Sequence, residues 1–402
     1  MKKDTIFNHI DKPLLLLLLI TTLYGLIMLF SANSITSLIS TQNIYSEFLK
    51  QFVYLLLAFI LYFILAKLPT RIYKKCIPIL IWLSFFSLIL VYFFPSTRGV
   101  HSWIKFGPIS LQPSEFSKII FIVYMGVFYG QNIKKKALKY TWFIPLIIGV
   151  IFWLLIFMQK DLGTSIVLAG IVYFTFISLP LQIRIQNYYT KKISPKINFR
   201  ITSIFKTLGL LGIVFLFGLL ISGGLNIILT KTQIERIKFD DVCTKEKYYT
   251  TGMQLCNSFI AFNNGGLTGL GIGNSKQKLL YLPEPDNDFI FAIVVEETGA
   301  LGGMIVLILV LSIIYRCLVI SKNSTTLQNS IISLGVGVFL LMHVLINVGG
   351  VSGAIPMTGL PFPFFSSGGS FLWTIFISMG IVSRISIENS LNQKKIRRTV
   401  KL

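Results

Sequence analysis

The chain has 402 residues, of which 54% are hydrophobic and only 13% charged, with 34 Phe against 15 acidic residues and a mean hydropathy of +0.75. A soluble protein of two to four domains, the ordinary reading of this length, is excluded, because so apolar a chain would precipitate. The formal net charge of +22 would suit a nucleic-acid binder if it clustered on a folded surface, so its distribution decides the class.

An apolar helix of about 20 residues crosses about 30 Å of hydrocarbon, so uncharged runs locate candidate spans. They fall at 13–46, 51–66, 76–97, 119–133, 140–159, 162–183, 207–230, 298–315 and 323–383. The last is long enough for two spans, with Gly, Pro and Ser between them. The pattern predicts an all-α polytopic membrane protein of about ten transmembrane helices, one integral membrane domain over 1–402. The runs at 51–66 and 119–133 are short, so those helices must take in flanking charged residues, tilt, or begin inside protein. Met1 to Asn33 has the outline of a signal peptide, but its apolar stretch is longer than the usual ~7–15 residues and more spans follow, so it reads as an uncleaved first helix.

Ten spans place both termini on one side. Segments 1–12, 67–75, 134–139, 184–206, 316–322 and 384–402 together carry 25 basic and three acidic residues, whereas the rest of the chain carries 12 of each. The whole excess therefore lies on one face, which the positive-inside rule makes cytoplasmic. Topogenic charge beside anionic headgroups accounts for it, and no nucleic acid is required.

Four segments then face outward: 98–118, 159–165, 231–288 and 349–370. The third is the large extracytoplasmic loop between the seventh and eighth helices, and its interleaved Phe259, Phe262, Leu279 and Tyr281 speak against disorder. Cys243 and Cys256 lie within it, either as a disulfide or as two buried thiols. Gly265, Gly266, Gly269, Gly271 and Gly273 with Lys276 and Lys278 suit close backbone packing against the bundle or a lipid-linked phosphate; the spacing fits no nucleotide motif. After Pro283 and Pro285, Asp286-Asn287-Asp288 looks like a helix start with Asp286 or Asn287 as N-cap, which would set Asp288 and Glu296 on one face. Asp288 sits at the membrane mouth as a candidate catalytic or cation-binding group. Glu296 and Glu297 lie deeper and must face the interior and a polar partner, either in a structural bridge or at a site. Lys118, three residues after Glu115, shares its helical face. His343 reads as a helix-helix hydrogen-bonding group, and no spacing suggests zinc.

The outer segments resemble the SEDS (shape, elongation, division and sporulation) family. The resemblance rests on Trp103-Ile104, Gln112-Pro113-Ser114-Glu115 with Lys118, Gln159 with Asp161-Leu162-Gly163-Thr164, and Gly271-Ile272-Gly273-Asn274-Ser275 with Gln277-Lys278. It continues through Tyr281-Leu282-Pro283-Glu284 into Asp288-Phe289-Ile290-Phe291 and Glu296-Glu297, then Pro361-Phe362-Pro363-Phe364 and Gly368-Gly369-Ser370. The Asn-Ser-x-Gln-Lys form is closer to the division branch, FtsW, than to the elongation branch, RodA. The chain departs from the family pattern at Ser102, Lys160, Asp286-Asn287 and Ser367.

This resemblance implies a peptidoglycan glycosyltransferase that polymerises lipid II on the outer face of the cytoplasmic membrane, in cell division. It implies a class B penicillin-binding protein transpeptidase as partner, with other division or elongation proteins. Asp288 is the expected catalytic base, with Mg²⁺ or Mn²⁺ held there as a candidate cofactor. Glu115, Lys118, Trp103, Asp161, Arg236, Lys278, Glu284, Glu296, Glu297 and Ser370 are the expected substrate-binding residues, the cations meeting phosphate. A lipid II flippase is the alternative. A flippase usually shows internal repeats and polar groups at the midplane, whereas here the halves show no clear repeat and the carboxylates gather at the outer mouth.

Overall fold

A computed structural model describes residues 9–96, 99–107, 109–132, 142–190, 242–244, 252–279 and 281–400. The described residues are mostly helical. In order it forms α1 (Lys12–Thr41), α2 (Ser46–Lys67), α3 (Tyr73–Leu90), strands β1 (Ile104–Phe106) and β2 (Ile109–Leu111), α4 (Pro113–Asn132), α5 (Ile144–Met158) and α6 (Leu162–Thr190). After these come α7 (Met253–Gly265), α8 (Ile290–Lys322), α9 (Leu327–Val351) and α10 (Gly369–Val400). Nine of the ten predicted spans coincide with described helices; the seventh, 207–230, and Arg236 lie outside the described residues. Among the described residues, seven helices are long and apolar enough to cross a membrane, and α5 is a shorter apolar helix.

The short run at 119–133 is resolved in one of the ways its length requires. The fourth helix begins at Pro113 and takes Glu115 and Lys118 into its buried face. Likewise α2 extends to Ser46 and takes in Glu47 and Lys50, which stay exposed as a surface pair.

Apolar side chains line the outside as well as the core. Ile79, Trp82, Leu83 and Phe86 on α3 are exposed, while Ser84 on the same helix is buried and bonds to Ser117 at 2.7 Å. That distribution suits a hydrocarbon surround, in which burial of polar groups replaces burial of apolar ones as the feature that fixes helix packing. The central helix is α9, packed against α4, α6 and α8, while α10 lies along α2. Four of the predicted inner segments meet at one end in their described parts: Asp11 pairs with Arg316, Glu388 accepts from the backbone of Thr70, and Asn389 accepts from Thr325.

At the opposite end the outer segments interlock. The β1–β2 hairpin pairs Ile104 with Leu111 and Phe106 with Ile109, and Gly107 at φ 58° makes its turn. The backbone N–H of His101 donates to Gln159 O at 3.2 Å. Cys243 and Cys256 form a disulfide, and α7, which carries Cys256, donates from Ser258 to Val351 O at 2.8 Å.

Candidate active site

The helix that follows Asp288 starts later than the sequence suggests. It begins at Ile290, with Phe289 at the N-cap and no side-chain cap, so neither Asp286 nor Asn287 caps it. Asp288 lies before the helix and does not share a helical face with Glu296. The reason is competition for backbone groups. The carbonyl of Asp286 accepts from Ser367 N at 2.8 Å, that of Asn287 from Ser366 Oγ at 2.7 Å, and that of Asp288 from Asn347 Nδ2 at 2.8 Å. Donors from distant segments thus hold three carbonyls that a longer helix would have used internally.

The Asp288 side chain is half-buried and lies against Gly359. That glycine has φ +73°, and a Cβ built there would sit 3.1 Å from Asp288 Oδ2, so a side chain would crowd the carboxylate. Beside it, burial pushes the Asp286 carboxyl above the usual carboxylate range and Glu284 adds to the rise, against hydrogen bonds from Ser367 and Asn33. Glu284 forms part of the same turn, at φ 56°, and its carbonyl accepts from Asn287 N at 3.2 Å.

Glu115 and Lys118 share a helical face as their spacing requires. They form a fully buried ion pair at 2.7 Å. Lys118 Nζ also lies 3.0 Å from His343 Nε2, which makes that nitrogen the acceptor and leaves Nδ1 as the N–H directed at Pro361 O, 3.4 Å away. The imidazole is held between Phe339 and Phe371, with ring centroids 4.9 and 4.6 Å away. His343 therefore joins helices by hydrogen bonds. Asn347 follows it by four residues on α9, about 6 Å along the axis, so one helical face presents groups to both Lys118 and Asp288.

Asp161 sits just before α6 and accepts from Thr164 N at 3.2 Å and from Gln112 Nε2 at 2.9 Å. It ties α6 to the segment that opens α4. Trp103 is half-buried immediately before β1. Ser370 is buried in the first turn of α10, next to the Phe371 that packs on His343.

A second cluster surrounds a break in α8. Gly299 has φ 73° and ψ −179° inside that helix, which frees the carbonyls of Glu296 and Glu297 and the amides of Ala300 and Leu301. The glycine-rich loop takes all four. Leu270 N donates to Glu296 O at 3.0 Å, Gly271 N to Glu297 O at 2.9 Å, Ala300 N to Gly266 O at 2.9 Å, and Leu301 N to Leu267 O at 3.3 Å. Close backbone packing is thus one use of these glycines: a Cβ at Gly265 would fall 2.2 Å from Val295 O. The carboxylates join the same bracket. Glu296 accepts from Ser275 Oγ and from Asn264 Nδ2 at 2.9 Å. Glu297 pairs with Lys278 at 2.9 Å and accepts from Ser31 at 2.6 Å. Lys278 and Lys118 share no partner among the described residues, so the predicted phosphate-binding cations fall into two separate clusters.

Asn347 and the Gly299 break are not legible as site features in the sequence read alone. The available signal for Asn347 is its spacing from His343: two polar side chains four residues apart within a span that is otherwise mostly apolar.

Among the described residues no group of three or more His, Cys, Asp or Glu could hold a metal ion. Mg²⁺ needs only one or two protein carboxylates when substrate phosphates complete its shell, so Asp288 fits an ion of that kind and not a preformed cage.

The model of the cell cycle protein family comprising FtsW, RodA and SpoVE matches residues 11–391. A probable peptidoglycan glycosyltransferase FtsW of Wigglesworthia glossinidia brevipalpis is 36% identical over 390 residues, covering 95% of each chain. Stage V sporulation protein E of Bacillus subtilis is 31% identical over 383 residues, covering 93% of this chain and 97% of its own. Two solved structures share the fold. One, from work on the coordination of polymerization and crosslinking by a peptidoglycan synthase complex, has a TM-score of 0.69 at 21% identity and covers 94% of this chain and 98% of its own. The other, rod shape determining protein RodA of Thermus thermophilus, has a TM-score of 0.60 at 20% identity and covers 94% and 96%. With the match running through nearly the whole length, the chain belongs to the FtsW, RodA and SpoVE family of cell cycle proteins.

Proposed function

We infer that this chain is a peptidoglycan glycosyltransferase of the division branch, joining lipid II units into glycan strands at the loop end of the helices. The observation that carries the reading is the 36% identity to an FtsW glycosyltransferase over 95% of both chains. The half-buried Asp288 carboxylate, set among interlocked loops at the end of a polytopic bundle, supports it. The polyprenyl tail of the substrate stays in the bilayer while its headgroup meets those loops.

The chemistry suits one carboxylate. The acceptor sugar hydroxyl attacks the anomeric carbon of the donor; the new C–O bond forms as the bond to undecaprenyl pyrophosphate breaks, and the hydroxyl proton passes to Asp288. Ordinary glycoside cleavage needs a general acid for an alkoxide leaving group, but pyrophosphate departs once its charge is balanced. Lys118, held by Glu115 and His343, is the proposed cation for that task. Trp103, Asp161, Glu284 and Ser370 belong to the elements that frame the headgroup, and Arg236 is a further candidate. Lys278, Glu296 and Glu297 would act on substrate through the loop they fasten. A divalent cation at Asp288, completed by the pyrophosphate, would neutralise charge on the leaving group and lower the pKa of the hydroxyl.

A class B penicillin-binding protein transpeptidase is the proposed partner, and the 25-to-12 split of basic residues directs the loop end outward. A single cysteine at Lys276, in a background free of native cysteines, should react with an impermeant thiol reagent on intact cells, and one at Lys74 should not. The reverse pattern overturns the orientation. Function is tested by giving the purified chain lipid II in detergent, with and without the transpeptidase. Strand synthesis is expected; none despite a competent partner would favour the flippase reading, because detergent abolishes leaflet sidedness.

A further inference from the structure

Asn347 on α9 is buried, and both N–H bonds of its carboxamide are used: Nδ2 donates to Asp288 O at 2.8 Å and to Leu360 O at 2.7 Å. A primary amide has only those two donors. The carbonyl of Asp288 needs one because the helix starts late. Ala292 N, its helical partner in a longer α8, donates to Phe289 O at 2.9 Å instead. The other carbonyl belongs to the residue after Gly359, the glycine against which the Asp288 carboxylate lies. A single side chain therefore holds the main chain that carries the carboxylate and the loop that forms its wall.

Resting on the glycosyltransferase reading above, we propose that Asn347 is a positioning residue for Asp288, acting through the backbone from a neighbouring helix. Ser366 and Ser367 fix the two preceding carbonyls, and Asn347 fixes that of Asp288 itself. Four residues earlier, His343 contacts Lys118, so α9 is the common mount for the base and the cation. A group that fixes the base without touching substrate governs turnover rather than binding.

Asn347→Leu keeps the size and removes both donors without adding a charge beside Asp288. The full-length variant, purified in detergent, is compared with wild type by hydrogen exchange and, with the transpeptidase partner present, by lipid II polymerisation. Residues 286–292 and 357–362 should lose protection together, and kcat should fall about tenfold or more, the equivalent of one interaction lost from the transition state, while KM stays within about twofold. Unchanged protection in either segment overturns the clamp. Loosened segments with kcat unchanged, or a raised KM at full kcat, overturn the positioning role. If Asn347→Leu does not accumulate in the membrane, Asn347→Ser, which keeps one donor, is measured in the same way and should loosen one segment. Wild type inactive beside a competent partner sinks the glycosyltransferase reading and with it the positioning role; the exchange data then decide the clamp alone.

Discussion

Lys278 and Lys118 each meet a glutamate in the interior, at 2.9 and 2.7 Å, but they differ in what else the ammonium touches. Lys278 has three hydrogen-bond acceptors: Glu297, Ser31 at 2.9 Å and Gly273 O at 2.7 Å. All three of its protons are used, and the partners come from the loop, α8 and α1. Lys118 has two, Glu115 and His343, and its remaining contact is the face of Phe339, 5.3 Å from the ring centroid. Among the described residues it keeps one proton uncommitted. The difference teaches that burial and pairing alone do not mark a functional charge. A saturated lysine fastens elements together, whereas one that keeps an uncommitted donor has a proton left for an anion.

The largest expected effect breaks the saturated pair. Lys278→Ala leaves the Glu297 carboxylate buried without its cation, a loss of about 3–5 kcal/mol. It should show as a large drop in thermal stability in detergent, or as failure to accumulate. The neutral double variant Lys278→Met/Glu297→Gln should recover most of that stability and retain polymerisation, since both charges leave together. Recovery of stability without activity would move this pair into the chemistry.

Applied to the other pair, the same manipulation should give the opposite result. Glu115→Gln/Lys118→Met should fold with stability near wild type and lose about 10²-fold or more in polymerisation rate, the scale of one lost electrostatic stabiliser. Full activity in this double variant would erase the distinction between the two lysines.

A smaller effect is expected at Gly269, whose φ is +79° and where a Cβ would fall 2.3 Å from Glu297 O. Gly269→Ala should destabilise by about 1–3 kcal/mol through overpacking, read as a fall in melting temperature. No change would mean that the loop does not bracket the α8 break as tightly as its hydrogen bonds indicate.

The smallest concerns Asp286, whose carboxyl is held above the ordinary range chiefly by burial. A raised acid contributes stability that is present below its unfolded value and is lost as pH rises through its folded value. At neutral pH the charge therefore opposes folding. Asp286→Asn should raise the melting temperature slightly at pH 7, and the gain should shrink as pH falls through the raised value. A gain that grows on acidification would contradict the direction of the shift.

Much of this was legible in the sequence, for reasons of scale. A bilayer imposes a length on every span, so charge-free runs located nine of the described helices, and the short run at 119–133 left open taking in flanking charges, tilting or starting inside protein, of which the entry of Glu115 and Lys118 into α4 is the one found. The i,i+3 spacing of that pair sufficed to join them. The start of α8 is not legible locally, because N-cap chemistry is local, whereas the carbonyls of Asp286, Asn287 and Asp288 are taken by Ser367, Ser366 and Asn347, each some sixty or more residues away. The break at Gly299 was hidden for a similar reason. A glycine in an apolar helix looks ordinary until a distant loop offers partners for the freed backbone groups. The β1–β2 hairpin lies in a segment that the span pattern marks only as an outer loop, although Ile104-Lys105-Phe106 and Ile109-Ser110-Leu111 alternate with the strand period.

Asp288→Asn tests the central claim most directly. It keeps size and most hydrogen bonding while removing the charge, so the protein should fold, bind lipid II and still show the protected backbone around Asn347. Purified variant and wild type, each with the transpeptidase partner, are given lipid II in detergent and glycan strands are measured. The account predicts strands from wild type and essentially none from the variant at unchanged lipid II binding; synthesis by Asp288→Asn at the wild-type rate would contradict it.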